Sequence, residues 1–115
     1  MTGLYQIDYI EFPSANGVRS RKFFAEAFGW RHTNYGPAYD AIDDAGIDAG
    51  IQSDPAEATA GPLAVIRTSD LEQAECDVLA AGGVITRGAY DFPGGRRFHF
   101  REPGGIELAV WVARE

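Results

Sequence analysis

Cysteine is almost missing from this chain. Cys76 is the only one in 115 residues, which excludes an intrachain disulfide and any thiolate cluster for zinc or iron–sulfur. Positive charge is short: ten Lys and Arg face seventeen Asp and Glu, a net charge of −7. That argues against nucleic acid or an anionic membrane as the main partner, although a local basic patch is compatible with it. Long apolar runs are absent, so no segment reads as a membrane span. The N-terminal stretch Met1 to Gln6 lacks the basic and apolar regions of a signal peptide, and a soluble cytoplasmic protein is expected. What is present is ordinary globular composition: 45% hydrophobic residues, with seven Phe, five Tyr and two Trp. The length suits one domain with a modest core.

The sequence also repeats itself. Tyr9 to Trp30 lies on Leu63 to Val84 with one constant offset. Ile10-Glu11-Phe12 falls on Ala64-Val65-Ile66, Asn16 on Asp70 and Gly29 on Gly83. Gly46 to Gln52 lies on Gly105 to Trp111 at an offset five residues larger. Two similar modules usually place a ligand where they face each other.

Local signals divide each module alike. Ile7, Ile10 and Phe12 form an apolar run that ends at Pro13, a strand. Asn16 is a helix N-cap, Val18 to Phe28 an amphipathic helix, and Gly29 its stop. Phe23, Phe24, Ala27 and Phe28 share its apolar face. Trp30–Tyr35, Ala38–Asp43 and Gly46–Gln52 are short strands separated by Gly-Pro and Asp-Ala-Gly turns. Residues 54–61 are polar, small and aperiodic, a linker. Pro62 to Thr68 opens the second module. Asp70-Leu71-Glu72-Gln73 has the form of a capping box, and its helix runs to about Ala81 with Leu71, Ala74, Val78 and Leu79 inward. Val84–Arg87 is a strand, Gly88–Gly95 a loop, and Arg96–Arg101 an alternating strand; Ile106–Val112 closes the module. The reading is therefore α+β, with two βαβββ modules (4–53 and 62–113) in one domain, 1–115.

That doubled pattern resembles the vicinal oxygen chelate superfamily, the glyoxalase, bleomycin-resistance and extradiol dioxygenase group. Tyr9-Ile10-Glu11-Phe12-Pro13 is similar to its first strand, and Phe23 to Trp30 to its F-Y-x-x-x-F-G-W helix ending. Phe92 to Phe100 resembles the penultimate strand, and Glu102 to Leu108 the D-P-x-G-N turn with its x-E-L. The resemblance implies curved mixed sheets forming a cleft, with the helices on the outer face, and chains that pair as homodimers. It places metal ligands at positions held here by Tyr9, Asp48, Leu63 and Glu107. Leu63 has no donor and tyrosine is a poor ligand for a labile divalent ion, so no metal and no other cofactor is expected.

Strand parity then sorts the faces. Tyr9 and Glu11 face the cleft, as do Leu63, Val65 and Arg67, and Glu107, Ala109 and Trp111. Asp48, Gly50 and Gln52 join them through the repeat. Ile10, Phe12, Ala64, Ile66, Leu108 and Val110 meet the helices, as do Phe98 and Phe100, while Arg97, His99 and Arg101 point the other way. His99 and Glu107 are candidate acid and base, with Asp48 as Glu107's equivalent; ion pairing is the structural account of each. Tyr9, Glu11, Asp48, Arg67, Arg97 and Trp111 are candidate ligand-binding residues, the arginines suiting an anionic or aromatic ligand. Tyr39 and Phe92 also suit an apolar wall. Cys76 reads as an inert packing residue, and His32 as surface. The functional expectation is a metal-free small-molecule-binding protein; the alternative is a lyase or isomerase acting on a small carbonyl compound.

Overall fold

The computed structural model describes residues 5–114. Leu4, where the first module is expected to begin, and the residues before it, read above for a leader, lie outside the described part. The elements run β1 (Gln6–Pro13), α1 (Gly17–Phe28), β2 (His32–Asn34), β3 (Tyr39–Ile42), β4 (Asp48–Gln52), β5 (Leu63–Arg67), α2 (Leu71–Ala80), β6 (Val84–Phe92), β7 (Gly95–Arg101) and β8 (Glu107–Ala113). This is the expected doubled βαβββ order, a mixed α+β fold.

The chain divides into two compact units, Tyr9–Leu63 and the segment from Ala64 onward together with the chain up to Asp8. In the first unit the strand order is β2-β3-β4-β1. β1 and β4 run parallel, and the other pairs antiparallel. Ile42, Ala49 and Ile51 form its buried core, joined by Ile10, Phe12, Phe24 and Trp30. In the second unit the order is β5-β8-β7-β6, with β5 and β8 parallel. Its core is Ala74, Phe98, Phe100 and Val110, packed by Ile66, Leu71, Val78, Ile85 and Leu108. The alternation read from the sequence therefore sends the expected side chains toward each helix. The duplication holds in the strand register as well. Glu11 pairs with Gly50, and Val65 with Ala109, which are equivalent positions under the two offsets.

Both helices start where their caps predict. Asn16 Oδ1 accepts from Arg19 N at 3.1 Å, and Asp70 Oδ1 from Gln73 N at 3.1 Å. The return half of the capping box does not form. Asp70 N donates to Thr68 Oγ1 at 3.2 Å, leaving the Gln73 amide to reach Asp77 at 2.9 Å. Gly29 ends α1 in the left-handed conformation, with φ of 74°. In the second unit Ala81 caps the helix and Gly82, not Gly83, takes the positive φ of 98°.

Four expectations need correction. Phe23 and Phe28 are each 59% exposed and Leu79 53%, so each helix buries a narrower stripe than its apolar residues suggested. The cause on α1 is that Phe24 alone of the three phenylalanines reaches the core; Phe23 and Phe28 stack edge-on at 6.1 Å. Cys76 is exposed and does not pack. The expected strand Trp30–Tyr35 shortens to His32–Asn34. Residues 88–92, expected to lie in a loop, instead continue β6, which pairs with β7 through two register shifts, between Ile85 and Arg87 and between Arg87 and Tyr90. A glycine inside a strand signals such a bulge, and Gly88 sits within the second shift.

Candidate functional site

The face of the second unit turned away from α2 carries most of the polar and aromatic side chains expected to act. β7 contributes Arg97 and His99, which point opposite to Phe98 and Phe100. β8 pairs with it antiparallel, setting Ala109 beside His99 and Trp111 beside Arg97. β6 sets Arg87 opposite His99 and Tyr90 opposite Arg97.

His99 is the centre of this group and is only 2% exposed. Its Nε2 lies 2.9 Å from the Tyr90 hydroxyl, and its Nδ1 lies 3.5 Å from Glu107 Oε2. Arg97 Nε donates to the same Tyr90 hydroxyl. The Arg87 guanidinium lies over the Tyr90 ring, 3.6 Å from its centroid. Thr86 donates to Glu107 Oε2 at 3.1 Å, and Arg101 stands 4.0 Å from Glu107 Oε1. Burial holds the His99 imidazole below its ordinary pKa, and the positive charge of Arg97 adds to this. Glu107 pulls the other way, and Arg87 again opposes protonation. The ring is therefore neutral at neutral pH.

A second cluster adjoins it, drawn from β8, β6, β5 and the start of β1. Trp111 Nε1 donates to Asp8 at 2.8 Å. Arg67 lies 5.0 Å over the Trp111 ring and 3.9 Å from Asp8, and Phe92 lies 6.1 Å from Trp111. Arg97 also lies 5.7 Å over the Phe92 ring.

The remaining candidates belong to the first unit. Tyr9 and Tyr39 share a hydroxyl–hydroxyl hydrogen bond, and the Tyr39 hydroxyl lies 3.4 Å from Glu11, which is 4% exposed. Gly50 makes room for them: a Cβ there would sit 2.1 Å from one hydroxyl and 2.2 Å from the other. Asp48 is exposed at the start of β4, in register with Tyr9. A concavity of about 640 Å³ lies in this unit beside the start of α1, among Asn16, Arg21, His32, Asn34, Asp40 and Ser53. Its floor is Asp40, 4% exposed, which accepts from Arg21 and Asn34, each at 2.8 Å.

Thus the structure brings His99, Glu107 and Arg97 together, and Arg67 with Trp111. Tyr9 and Glu11 form a separate hydroxyl–carboxylate group with Tyr39. The residue that sequence reasoning missed is Tyr90, noted only as part of a loop. Gly88 with the alternation Tyr90-Asp91-Phe92 is the signal that identifies a bulged strand instead.

The metal positions implied by the resemblance do not fit an ion. Leu63 is 1% exposed and donorless, the Tyr9 hydroxyl is bonded to Tyr39, and Glu107 is engaged by Thr86 beside His99. Among the described residues no group of three or more His, Cys, Asp or Glu converges.

Comparison with known proteins places this arrangement in a family. The model of the Glyoxalase/Bleomycin resistance protein/Dioxygenase superfamily matches residues 6–110, and the chain belongs to that superfamily. No curated protein sequence matches. Among solved structures, a hypothetical protein, BH1468, from Bacillus halodurans C-125 superposes with a TM-score of 0.79 at 9% identity, covering 96% of each chain. Methylmalonyl-CoA epimerase from Mycobacterium tuberculosis superposes with a TM-score of 0.76 at 14% identity, covering 100% of this chain and 93% of the other. A superfamily member from Vibrio splendidus 12B01 gives 0.70 at 14% identity, covering 94% and 98%. At these identities the likeness establishes the fold. No helix among the described residues is long and apolar enough to cross a membrane.

Proposed function

We propose that this chain binds a small organic anion, aromatic or flat, on the face of the second unit that carries Tyr90, Arg97 and Trp111. The observation that supports it is the seating of three guanidiniums on aromatic rings: Arg67 on Trp111, Arg87 on Tyr90, and Arg97 between Tyr90 and Phe92. A stacked guanidinium is held in place, so it loses less freedom when it meets an anion. Rings beside it supply apolar surface for the rest of the ligand. No cofactor enters this reading. Isothermal titration with a panel of aromatic and aliphatic carboxylates tests it. Micromolar binding to a panel member, weakened about tenfold or more by Arg97→Met, is the expected result, in line with loss of one charge-assisted contact. Absence of binding across the panel, or an affinity indifferent to Arg97, overturns it.

A second reading, acid–base chemistry on a small carbonyl compound as in a lyase or isomerase, is favoured by one observation. A neutral, buried imidazole stands between a carboxylate and a phenol. The fold is compatible with it, since three similar structures are named methylmalonyl-CoA epimerase. Once a turned-over ligand is found, His99→Gln and Glu107→Gln each abolish turnover on this reading; unchanged rates in both dismiss it.

The remaining proposals concern context: a single domain built of two modules, located in the cytoplasm and assembled as a homodimer. Light scattering behind gel filtration reads the last directly, with a mass near twice 12.5 kDa expected.

A further inference from the structure

His99 is almost sealed, yet both of its ring nitrogens have partners, and those partners differ in kind. Arg97 Nε can only donate, so the Tyr90 oxygen accepts from it. The phenol then has one proton of its own to place, and His99 Nε2 is the neighbour at 2.9 Å. Glu107, as a carboxylate, only accepts, which turns Nδ1–H toward it at 3.5 Å. One assignment satisfies all three groups: phenol proton on Nε2, imidazole proton on Nδ1. The reverse orientation gives the phenol oxygen two donors and leaves its own proton without an acceptor in this set.

We propose that Tyr90, His99 and Glu107 form a proton wire with one resting orientation, with Tyr90 as its outer end and the imidazole fixed in the Nδ1–H tautomer. The chemistry rests on the acid–base reading above; the tautomer does not, and can fail or stand by itself. At 2% exposure, His99 exchanges protons with an outside molecule only through its bonded neighbours. Tyr90 and Glu107 are both half-buried, and of the two only the phenol already carries a proton to pass on as it receives one. For a carbon acid bound on this face, the step balances as follows. The C–H proton passes to the Tyr90 oxygen, the phenol proton to Nε2, and the Nδ1 proton to Glu107. The carbon keeps the electron pair as an enolate beside Arg97 and Arg87. Tyr90 ends neutral, His99 ends as the Nε2–H tautomer, and Glu107 ends protonated. Reversal returns the proton to carbon. Tyr90 is thus the candidate catalytic residue, while His99 and Arg97 are positioning residues that set its direction.

The test needs no substrate. Long-range proton–nitrogen correlation spectra of the full chain labelled with ¹⁵N resolve two imidazoles, and exposed His32 serves as the internal reference. At pH 8 the expected result for His99 is a pyrrole-like Nδ1 and a pyridine-like Nε2, opposite to the preference of free histidine that His32 displays. Tyr90→Phe leaves Glu107 alone to hold the Nδ1 proton, so the tautomer stays while the Nε2 signal moves to that of a pyridine-like nitrogen without a hydrogen-bond donor. Arg97→Met, a second route should Tyr90→Phe fold poorly, frees the phenol to turn and moves the Nε2 signal the same way. A wild-type His99 found as Nε2–H overturns the wire. So does an Nε2 signal unchanged in a folded Tyr90→Phe protein. Failure to bind any carboxylate would leave the tautomer result standing and count against the binding proposal alone.

Discussion

At the scale of single residues, His99 carries the clearest pH signature. Its pKa in the fold lies below the 6.5 of an unperturbed histidine, because burial and then Arg97 oppose its charge more than Glu107 favours it. Above pH 6.5 both folded and unfolded chains hold the ring neutral, and His99 contributes no pH dependence. As pH falls below that value the unfolded chain takes up a proton that the folded one refuses, so stability declines until the folded pKa is reached. Urea denaturation at half-unit steps from pH 8 to 5 checks this. His99→Gln is expected to flatten that part of the profile, and an equal slope in both proteins would assign it to other groups. His99 was legible as a mid-strand polar residue sharing a face with two arginines. Its burial was not, because parity gives a side chain's direction without saying what covers it. Glu11 is the parallel case: the alternation placed it on the face away from the helix, and only the packing of Tyr39 shows why it is 4% exposed.

At the scale of elements, the sequence was read best where a local device sets the boundary. Asn16 and Asp70 start both helices by accepting backbone N–H groups, and Gly29 stops the first one. It was read worst where tertiary pairing overrides a turn signal. From the sequence Gly88 opens a loop, but pairing with β7 absorbs it as a bulge and prolongs β6 to Phe92. That single difference hid Tyr90, because a loop residue has no strand partner to bring it to Arg97. The helix faces were half legible for a related reason. Periodicity marks every apolar residue on the stripe, while the half-sheet meets only the centre of it. The four aromatics of α1 and its end therefore separate energetically. Phe24 contacts Phe12 at 5.8 Å and Trp30 at 5.2 Å in the core cluster, whereas Phe23 is 59% exposed. Phe24→Ala is expected to cost about 3 kcal/mol and Phe23→Ala less than about 1 kcal/mol, read as the shift in urea midpoint at constant slope. Equal losses would mean that Phe23 is covered in solution, for instance by a second copy of the chain.

At the scale of the whole molecule, the duplication is the feature that makes the fold readable, and the place where it breaks is the place where the candidate site lies. The two halves keep the same caps and the same parallel strand pairing, Glu11 with Gly50 and Val65 with Ala109. They part after the second helix. β2 spans His32–Asn34, three residues, while its counterpart β6 spans Val84–Phe92, nine residues. The five-residue change of offset falls in this stretch, and the longer strand is what supplies Arg87, Tyr90 and Phe92 to the polar face. The first unit carries the Tyr9, Tyr39 and Glu11 group instead. Legibility therefore stops at the divergence: a repeat predicts what the halves share and is silent on what one half gained. The division between the units falls inside β1, between Asp8 and Tyr9, so neither unit has a complete first strand of its own. This predicts one cooperative transition in scanning calorimetry, with calorimetric and van't Hoff enthalpies in agreement. A bound carboxylate is expected to move that transition as a whole. At a hundred times its Kd it adds about 2.7 kcal/mol to the stability, a rise in Tm of roughly 10 °C or more for a chain of this size. Two transitions, with only one responding to the carboxylate, would show instead that the second unit folds and binds without the first.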